Sequence, residues 1–255
     1  MHPDLERLFD LSGRVAIVTG GSRGLGRAMA LGFAKAGAAV VIASRKLDAC
    51  QAVVEEVEAL DGQALAVAAR MQEADDVQGL VAATVERFGR LDIVVNNAAT
   101  VLDRTLDRLD PSTFEGAFTT NLLGPLLLVQ AAVPHLAASG HGSVINITSI
   151  AAGASSPGRY LYPPAKAALG QVTRTLARDL GRQGIRVNAI APGTFTTDMV
   201  TKAYDEATLR LIASRAAQGR NGEPDELVGP ALLLASDAGS FLTGVVLTVD
   251  AGATC

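Results

Sequence analysis

Val15-Ala16-Ile17-Val18-Thr19-Gly20-Gly21-Ser22-Arg23-Gly24-Leu25-Gly26 reads as a strand, a glycine turn and the start of a helix. An apolar run leads into the turn, and a helix-like stretch from Arg27 to Lys35 follows it. Such a turn lets the backbone approach a pyrophosphate closely, while free amides and the positive helix end stabilise the anion. An ordinary tight strand-to-helix connection is the alternative, and the flanking strand and helix favour the nucleotide.

Outward from this turn, short β-branched runs alternate with longer Ala-rich stretches. Arg14 to Thr19, Ala39 to Ala43, Ala64 to Ala68, Leu91 to Val95, Ser143 to Ile147, Ile185 to Ile190 and Val245 to Val249 read as strands. Their near-continuous apolar character indicates burial on both faces, as in a parallel sheet. The intervening segments are long enough for right-handed helical crossovers. The expected fold is α/β, a Rossmann-type doubly wound sheet of about seven parallel strands with helices on both faces. No repeat, linker or low-complexity segment divides residues 1–255, so one dinucleotide-binding catalytic domain is expected. A cap over the site is placed around 194–220, with Phe195, Met199, Val200, Tyr204, Leu209 and Leu211 as apolar candidates.

Composition narrows the class of partner. Hydrophobic residues make up 49% of the 255, aromatics 4%, and there is no Trp, which suits an Ala, Val and Leu core. A formal charge of −4 gives no general attraction to nucleic acid or anionic membranes. The charged start Met1-His2-Pro3-Asp4-Leu5-Glu6-Arg7 lacks the apolar core of a signal peptide. The most apolar run, Leu122 to Val133, is shorter than the ~20 residues that cross a bilayer. A cytoplasmic location is expected, with Cys50 and Cys255 as free thiols. His2, His135 and His141 are dispersed, and no metal site is expected.

The chemistry resides in a spacing. Tyr162 and Lys166 are four residues apart, with Ser149 thirteen upstream, so on a helix the ammonium and the phenol share a face. Bringing a phenol from a pKa near 10 to about 7 takes roughly 4 kcal/mol of phenolate stabilisation. One cation about 4 Å away at an effective dielectric of ~20 supplies about that much. A phenol so tuned can protonate a carbonyl oxygen or deprotonate an alcohol. A Tyr and Lys at this spacing also occur as packing plus a solvated charge.

The end of the second strand, Ala43-Ser44-Arg45-Lys46, bears on the nucleotide. A carboxylate there would bind a ribose 2′-hydroxyl and repel a 2′-phosphate. Ser44 takes that place, Arg45 can pair with a phosphate through its planar fork, and Arg23 can add a second cation. NADP(H) is therefore expected over NAD(H).

The glycine spacing, together with Asn96-Asn97-Ala98-Ala99, Asn121, Ser149 and Tyr162-Pro163-Pro164-Ala165-Lys166 in that order, resembles the one-domain branch of the short-chain dehydrogenase/reductase family. The likeness runs from about Gly13 to Gly252. It implies Tyr162 as acid/base, Lys166 as its pKa modifier and ribose ligand, Ser149 as donor to the substrate oxygen, and Asn121 as a link from Lys166 to solvent. For Asn121, an amide satisfying a backbone group inside a helix is the alternative. Cofactor contacts are implied at Gly20, Ser22, Arg23, Gly24, Leu25, Gly26, Ser44, Arg45, Asn97, Ala98, Tyr162, Lys166, Pro192, Gly193 and Thr194. Asn96 would tie adjacent strands, while Asp92, Asn188 and Asp250 would be structural. Ala99 departs from the usual Gly, Pro163 and Pro164 are tolerated in a first helical turn, and Arg70 falls near where the family often has an Asp beside the adenine. The implied activity is NADP(H)-dependent interconversion of a ketone or aldehyde and its alcohol, in a homotetramer. Alternatives are a 3-oxoacyl thioester (acyl carrier protein) reductase and a non-catalytic NADPH-binding sensor or scaffold.

Overall fold

The computed structural model describes residues 2–102, 104–155 and 157–255. In chain order the elements are α1 (Pro3–Phe9), β1 (Val15–Thr19), α2 (Gly24–Lys35), β2 (Ala39–Ser44), α3 (Leu47–Glu58), β3 (Ala64–Ala68), α4 (Ala74–Phe88), β4 (Ile93–Asn96), α5 (Pro111–Phe118), α6 (Gly124–Ser139), β5 (Ser143–Ile147), α7 (Tyr162–Leu180), β6 (Arg186–Pro192), α8 (Asp198–Ala203), α9 (Glu206–Ala213), α10 (Val228–Ala235) and β7 (Val246–Val249). The seven strands form one sheet in the order β3-β2-β1-β4-β5-β6-β7, and each neighbouring pair is parallel.

Alternation along the central strands builds two cores. Ala16, Val18, Val40, Ile42, Ile93, Val95 and Ile145 pack with α2, α3 and α10 on one face. Ile17, Val41, Val94, Val144 and Val187 pack with α4, α6 and α7 on the other. Each such Val or Ile contributes about 1.5–3 kcal/mol on burial, which is why both faces of these strands are apolar. Register is also stitched by polar groups. The fully buried Asp92 accepts the Val15 N–H at 2.8 Å and is held by the Arg90 guanidinium at 2.6 and 2.9 Å. Asn188 bonds Leu242 O and Val245 N at 2.8 and 3.1 Å, binding β6 to the approach of β7.

Each strand lies within two residues of its expected bounds: β4 begins at Ile93 rather than Leu91, and β6 continues to Pro192. Two helices differ more. The first turn of α2 starts at Gly24, inside the glycine stretch, rather than at Arg27. The apolar run read as 122–133 belongs to a continuous helix, Pro111–Ser139, made of α5, a π-helical segment Thr119–Leu123 and α6. At 29 residues, with an 18-residue stretch of mean hydropathy 1.5 of which 33% is buried, it is long and apolar enough to cross a membrane by length and composition alone. The apolar run is as short as its sequence reads, and the helix that holds it is longer because Pro111 opens α5 and Gly124 and Pro125 stand at the start of α6 without interrupting it.

Candidate active site

The crevice opens where strand order reverses, between the carboxyl ends of β1 and β4. Thr19 is its hub. The hydroxyl donates to Val95 O at 3.1 Å and accepts the N–H groups of Asn97 and Ala98 at 3.0 and 3.1 Å. The Asn97 amide donates to Thr19 O and Gly20 O at 2.9 and 3.2 Å, so its side chain clamps the glycine turn. Gly20 has φ +63°, and a Cβ there would lie 2.8 Å from Asn97 Nδ2. A Cβ on Gly26 would lie 2.3 Å from Gly20 O. These two glycines are therefore required by the seating of α2 on the turn itself. Arg23 is the N-cap of α2 and caps nothing with its side chain. The amides of Gly24, Leu25 and Gly26, next to Ser22, are first-turn donors without partners inside the helix, an arrangement that suits a pyrophosphate.

At the end of β2 the Ser44 hydroxyl donates to Lys46 O at 3.2 Å and lies 3.0 Å from Cys50 Sγ. Burial pushes the Cys50 thiol up from its ordinary value. Arg45 and Lys46 are exposed beside it. Among the described residues Arg23, Arg45 and Lys46 make no ion pair, whereas nearby Arg27 pairs with Glu56 and Arg70 with Asp76. Three uncompensated cations at the ends of neighbouring strands fit a phosphate.

The catalytic candidates come from three segments beyond β4: the turn after β5, α7 and the π-helical segment. Ser149 follows β5 and caps the short turn Ile150–Gly153, its hydroxyl accepting Ala151 N–H at 3.1 Å. That fixes the oxygen and leaves the hydroxyl proton available for donation. Tyr162 opens α7, and Pro163 and Pro164 occupy the first turn, where missing amides disrupt no helical bond. Lys166 is 2% exposed, donates to Ile147 O at 2.7 Å and holds Nζ 5.8 Å from the centre of the Tyr162 ring. Burial lowers its pKa from 10.5 to about 8. Asn121 lies in the π-helical segment, fully buried. Its amide donates to Thr100 O and Ala117 O, both at 2.9 Å, and its oxygen accepts Thr100 N–H at 3.1 Å. All three side-chain bonds go to backbone groups, so a path from Lys166 through Asn121 would have to use its main chain.

Pro192, Gly193 and Thr194 lie at the end of β6. Gly193 N–H bonds Val249 O at 2.9 Å, and a Cβ on Gly193 would come 2.8 Å from Asp250 Cα. The segment 194–220 contains α8 and α9. Within it Phe195 is 5% exposed, bridges to Gly222 and joins the core, which corrects its reading as an apolar lid residue. Met199 and Leu211 are about half exposed. Arg159 Nη2 bonds the Tyr204 hydroxyl and so ties the segment before Tyr162 to the cap. Sequence reasoning missed that tie, the Thr19 hub and a buried hydrogen bond from Asn146 to Thr173. Only Thr173 left a local signal, two helical turns beyond Lys166 on the buried stripe of α7.

The family model described as enoyl-(acyl carrier protein) reductase matches residues 20–254. A 3-oxoacyl-[acyl-carrier-protein] reductase from Synechocystis sp. is 38% identical over 95% of this chain and 97% of its own. A gluconate 5-dehydrogenase from Gluconobacter oxydans is 35% identical over 99% and 98%. Among solved structures, a short-chain type dehydrogenase/reductase from Mycobacterium marinum superposes with TM-score 0.92 at 35% identity, covering 97% of this chain and 98% of that one. A 7α-hydroxysteroid dehydrogenase complexed with NADH and 7-oxo glycochenodeoxycholic acid gives 0.94 at 33% identity, covering 96% of each.

Proposed function

Because this chain belongs to the short-chain dehydrogenase/reductase family, oxidoreductases that act on CH–OH or C=O groups of small molecules with a nicotinamide cofactor, we propose that it is an NADP(H)-dependent carbonyl reductase, reversible as a secondary alcohol dehydrogenase. The observation that carries the cofactor choice is that Arg23, after β1, and Arg45 and Lys46, after β2, have no carboxylate partners among the described residues, while the β2 end carries Ser44 in place of an acid.

When bound, the cofactor supplies or accepts hydride at the nicotinamide ring. The first-turn amides of α2 and the Arg45 fork would hold its phosphates, and Gly193 and Thr194 would lie on the nicotinamide side. Ser149 donates a hydrogen bond to the substrate oxygen and orients it. Tyr162 gives that oxygen a proton as the carbonyl becomes an alcohol, and takes one in the reverse direction. Lys166 favours the phenolate by its charge, an effect strengthened by its removal from water.

A second reading, reduction of 3-oxoacyl thioesters on an acidic carrier, has support in the names of two kinds of match. The cap argues for free carbonyls instead. Lys202 and Arg210 each pair with a carboxylate four residues earlier, Asp198 and Glu206, at 3.5 and 2.9 Å, which leaves α8 and α9 without a basic face for such a carrier. A sensor role is disfavoured because Ser149, Tyr162 and Lys166 are all present. We also propose a cytoplasmic homotetramer, the assembly supported by Phe114 and Leu123 of helix Pro111–Ser139, nearly half exposed, and by Phe241, which is fully exposed.

NADPH and NADH oxidation with ketones, aldehydes and 3-oxoacyl thioesters tests the assignment. NADPH-dependent turnover of free carbonyls, abolished in Tyr162→Phe, is the expected result. Preference for thioesters would replace it with the second reading, and tight NADPH binding without Tyr162-dependent turnover would leave a sensor.

A further inference from the structure

We propose that Asn146 and Thr173 are positioning residues for Lys166: a buried chain of hydrogen bonds sets the height and rotation of α7 on β5, and thereby the place of the ammonium beside Tyr162. The inference rests on the carbonyl chemistry assigned above and adds residues that touch neither cofactor nor substrate.

The chain begins at Asn96, whose amide donates to Asn146 Oδ1 at 2.9 Å. Asn146 donates in turn to Thr173 Oγ1 at 2.9 Å, and Thr173 donates to Leu169 O at 2.8 Å. All three side chains are at most 2% exposed. Every donor points the same way, from the middle of the sheet into the helix, so the bonds polarise one another. Asn96 and Asn146 face each other across β4 and β5 in the sheet register, and Asn146 immediately precedes Ile147, whose carbonyl receives Lys166 Nζ. Two consecutive residues of β5 therefore grip α7 at two points on one face, Lys166 in its second turn and Thr173 two turns later. One point alone would let the helix pivot; two fix both its slide along the strand and its rotation.

The geometry matters because charge support falls with distance. Nζ lies 5.8 Å from the centre of the Tyr162 ring, and a retreat of about 1 Å at an effective dielectric of about 20 raises the phenol's pKa by about 0.3 of a unit. Less phenolate is then present at neutral pH, and alcohol oxidation slows.

Thr173→Val keeps the side-chain shape and removes the hydroxyl, while Thr173→Ser keeps the hydroxyl. In the full-length protein, with NADP⁺ and a secondary alcohol that the wild type oxidises, Thr173→Val is expected to move the Tyr162-dependent limb of the kcat–pH profile up by about 0.3 of a unit and to lower kcat at pH 7 about twofold. Thr173→Ser restores the wild-type limb. A limb that stays in place in a folded Thr173→Val protein, even one that melts earlier, would overturn the inference, as would a Thr173→Ser protein no better than the Val variant. Asn146→Ala, read by the same limb, decides the matter if Thr173→Val does not fold. A wild type without Tyr162-dependent turnover refutes the carbonyl assignment; a wild type that turns over, with unshifted variants, refutes only the positioning.

Discussion

Lys166 brings a positive charge into the interior with a backbone carbonyl as its hydrogen-bond partner, and burial draws its pKa down to about 8. At 5.8 Å from the ring centre and an effective dielectric of about 20, its Coulomb support for a phenolate is roughly 3 kcal/mol. Lys166→Met is therefore expected to lower kcat about 100-fold at pH 7, measured on any ketone the wild type reduces. The same substitution changes the dependence of stability on pH. Below about 8 the amine is protonated in both folded and unfolded chains, so its burial lowers stability by a constant amount. As pH rises from about 8 toward 10.5, the folded chain loses the proton first, the unfolded chain binds more protons, and wild-type stability rises. Urea titrations should show the difference between wild type and Lys166→Met moving in favour of the wild type by about 2–3 kcal/mol between pH 7 and 10. No such movement would mean that Nζ remains hydrated. At the nucleotide end, Arg45→Asp is expected to weaken NADPH binding by about 10- to 100-fold while NADH binding changes little, as read by fluorescence titration. Ser149, Tyr162 and Lys166 were legible because their relation lies in the spacing of one strand end and one helix. The clamp of Asn97 on Thr19 was not, since its partners are 78 residues apart and only the fold brings them together.

At the level of elements, the seven strands could be read from apolar runs because a strand covered on both faces has little room for polar residues. The π-helical segment Thr119–Leu123 carries no such mark. It is stabilised by the contact of Asn121 with Thr100, in a loop far earlier in the chain, and by the bond back to Ala117 O. The two sequence-level options for Asn121, a solvent link and a backbone-satisfying amide, thus meet at one residue whose side chain serves the backbone. Asn121→Ala leaves one buried and two part-buried backbone groups without these partners and is expected to destabilise the fold by about 1–3 kcal/mol, with an unchanged urea m-value. A loss below about 0.5 kcal/mol would show that the segment holds its shape without the side chain. The early start of α2 has a similar cause: the contact of Gly26 with Gly20 O admits no side chain, and a glycine-rich segment that looked like a loop is already helical.

For the whole molecule, Phe114 and Leu123 on the helix Pro111–Ser139 are nearly half exposed, and Phe241 is fully exposed on the approach to β7. Light scattering on the purified protein is expected to give the mass of four chains, and Phe241→Asp to reduce it; a monomeric wild type would remove the assembly from the proposal. The strand order has a further consequence, one that concerns synthesis. β1 finds its second neighbour only in β4, where Asp92 closes on the Val15 amide 77 residues later. A ribosome that has released β1, α2 and β2 but has not yet delivered β4 exposes an apolar strand edge with unpaired amides and carbonyls, the kind of edge that recruits other chains. Slow translation upstream of residue 93 would therefore be the interval in which this protein most depends on chaperones.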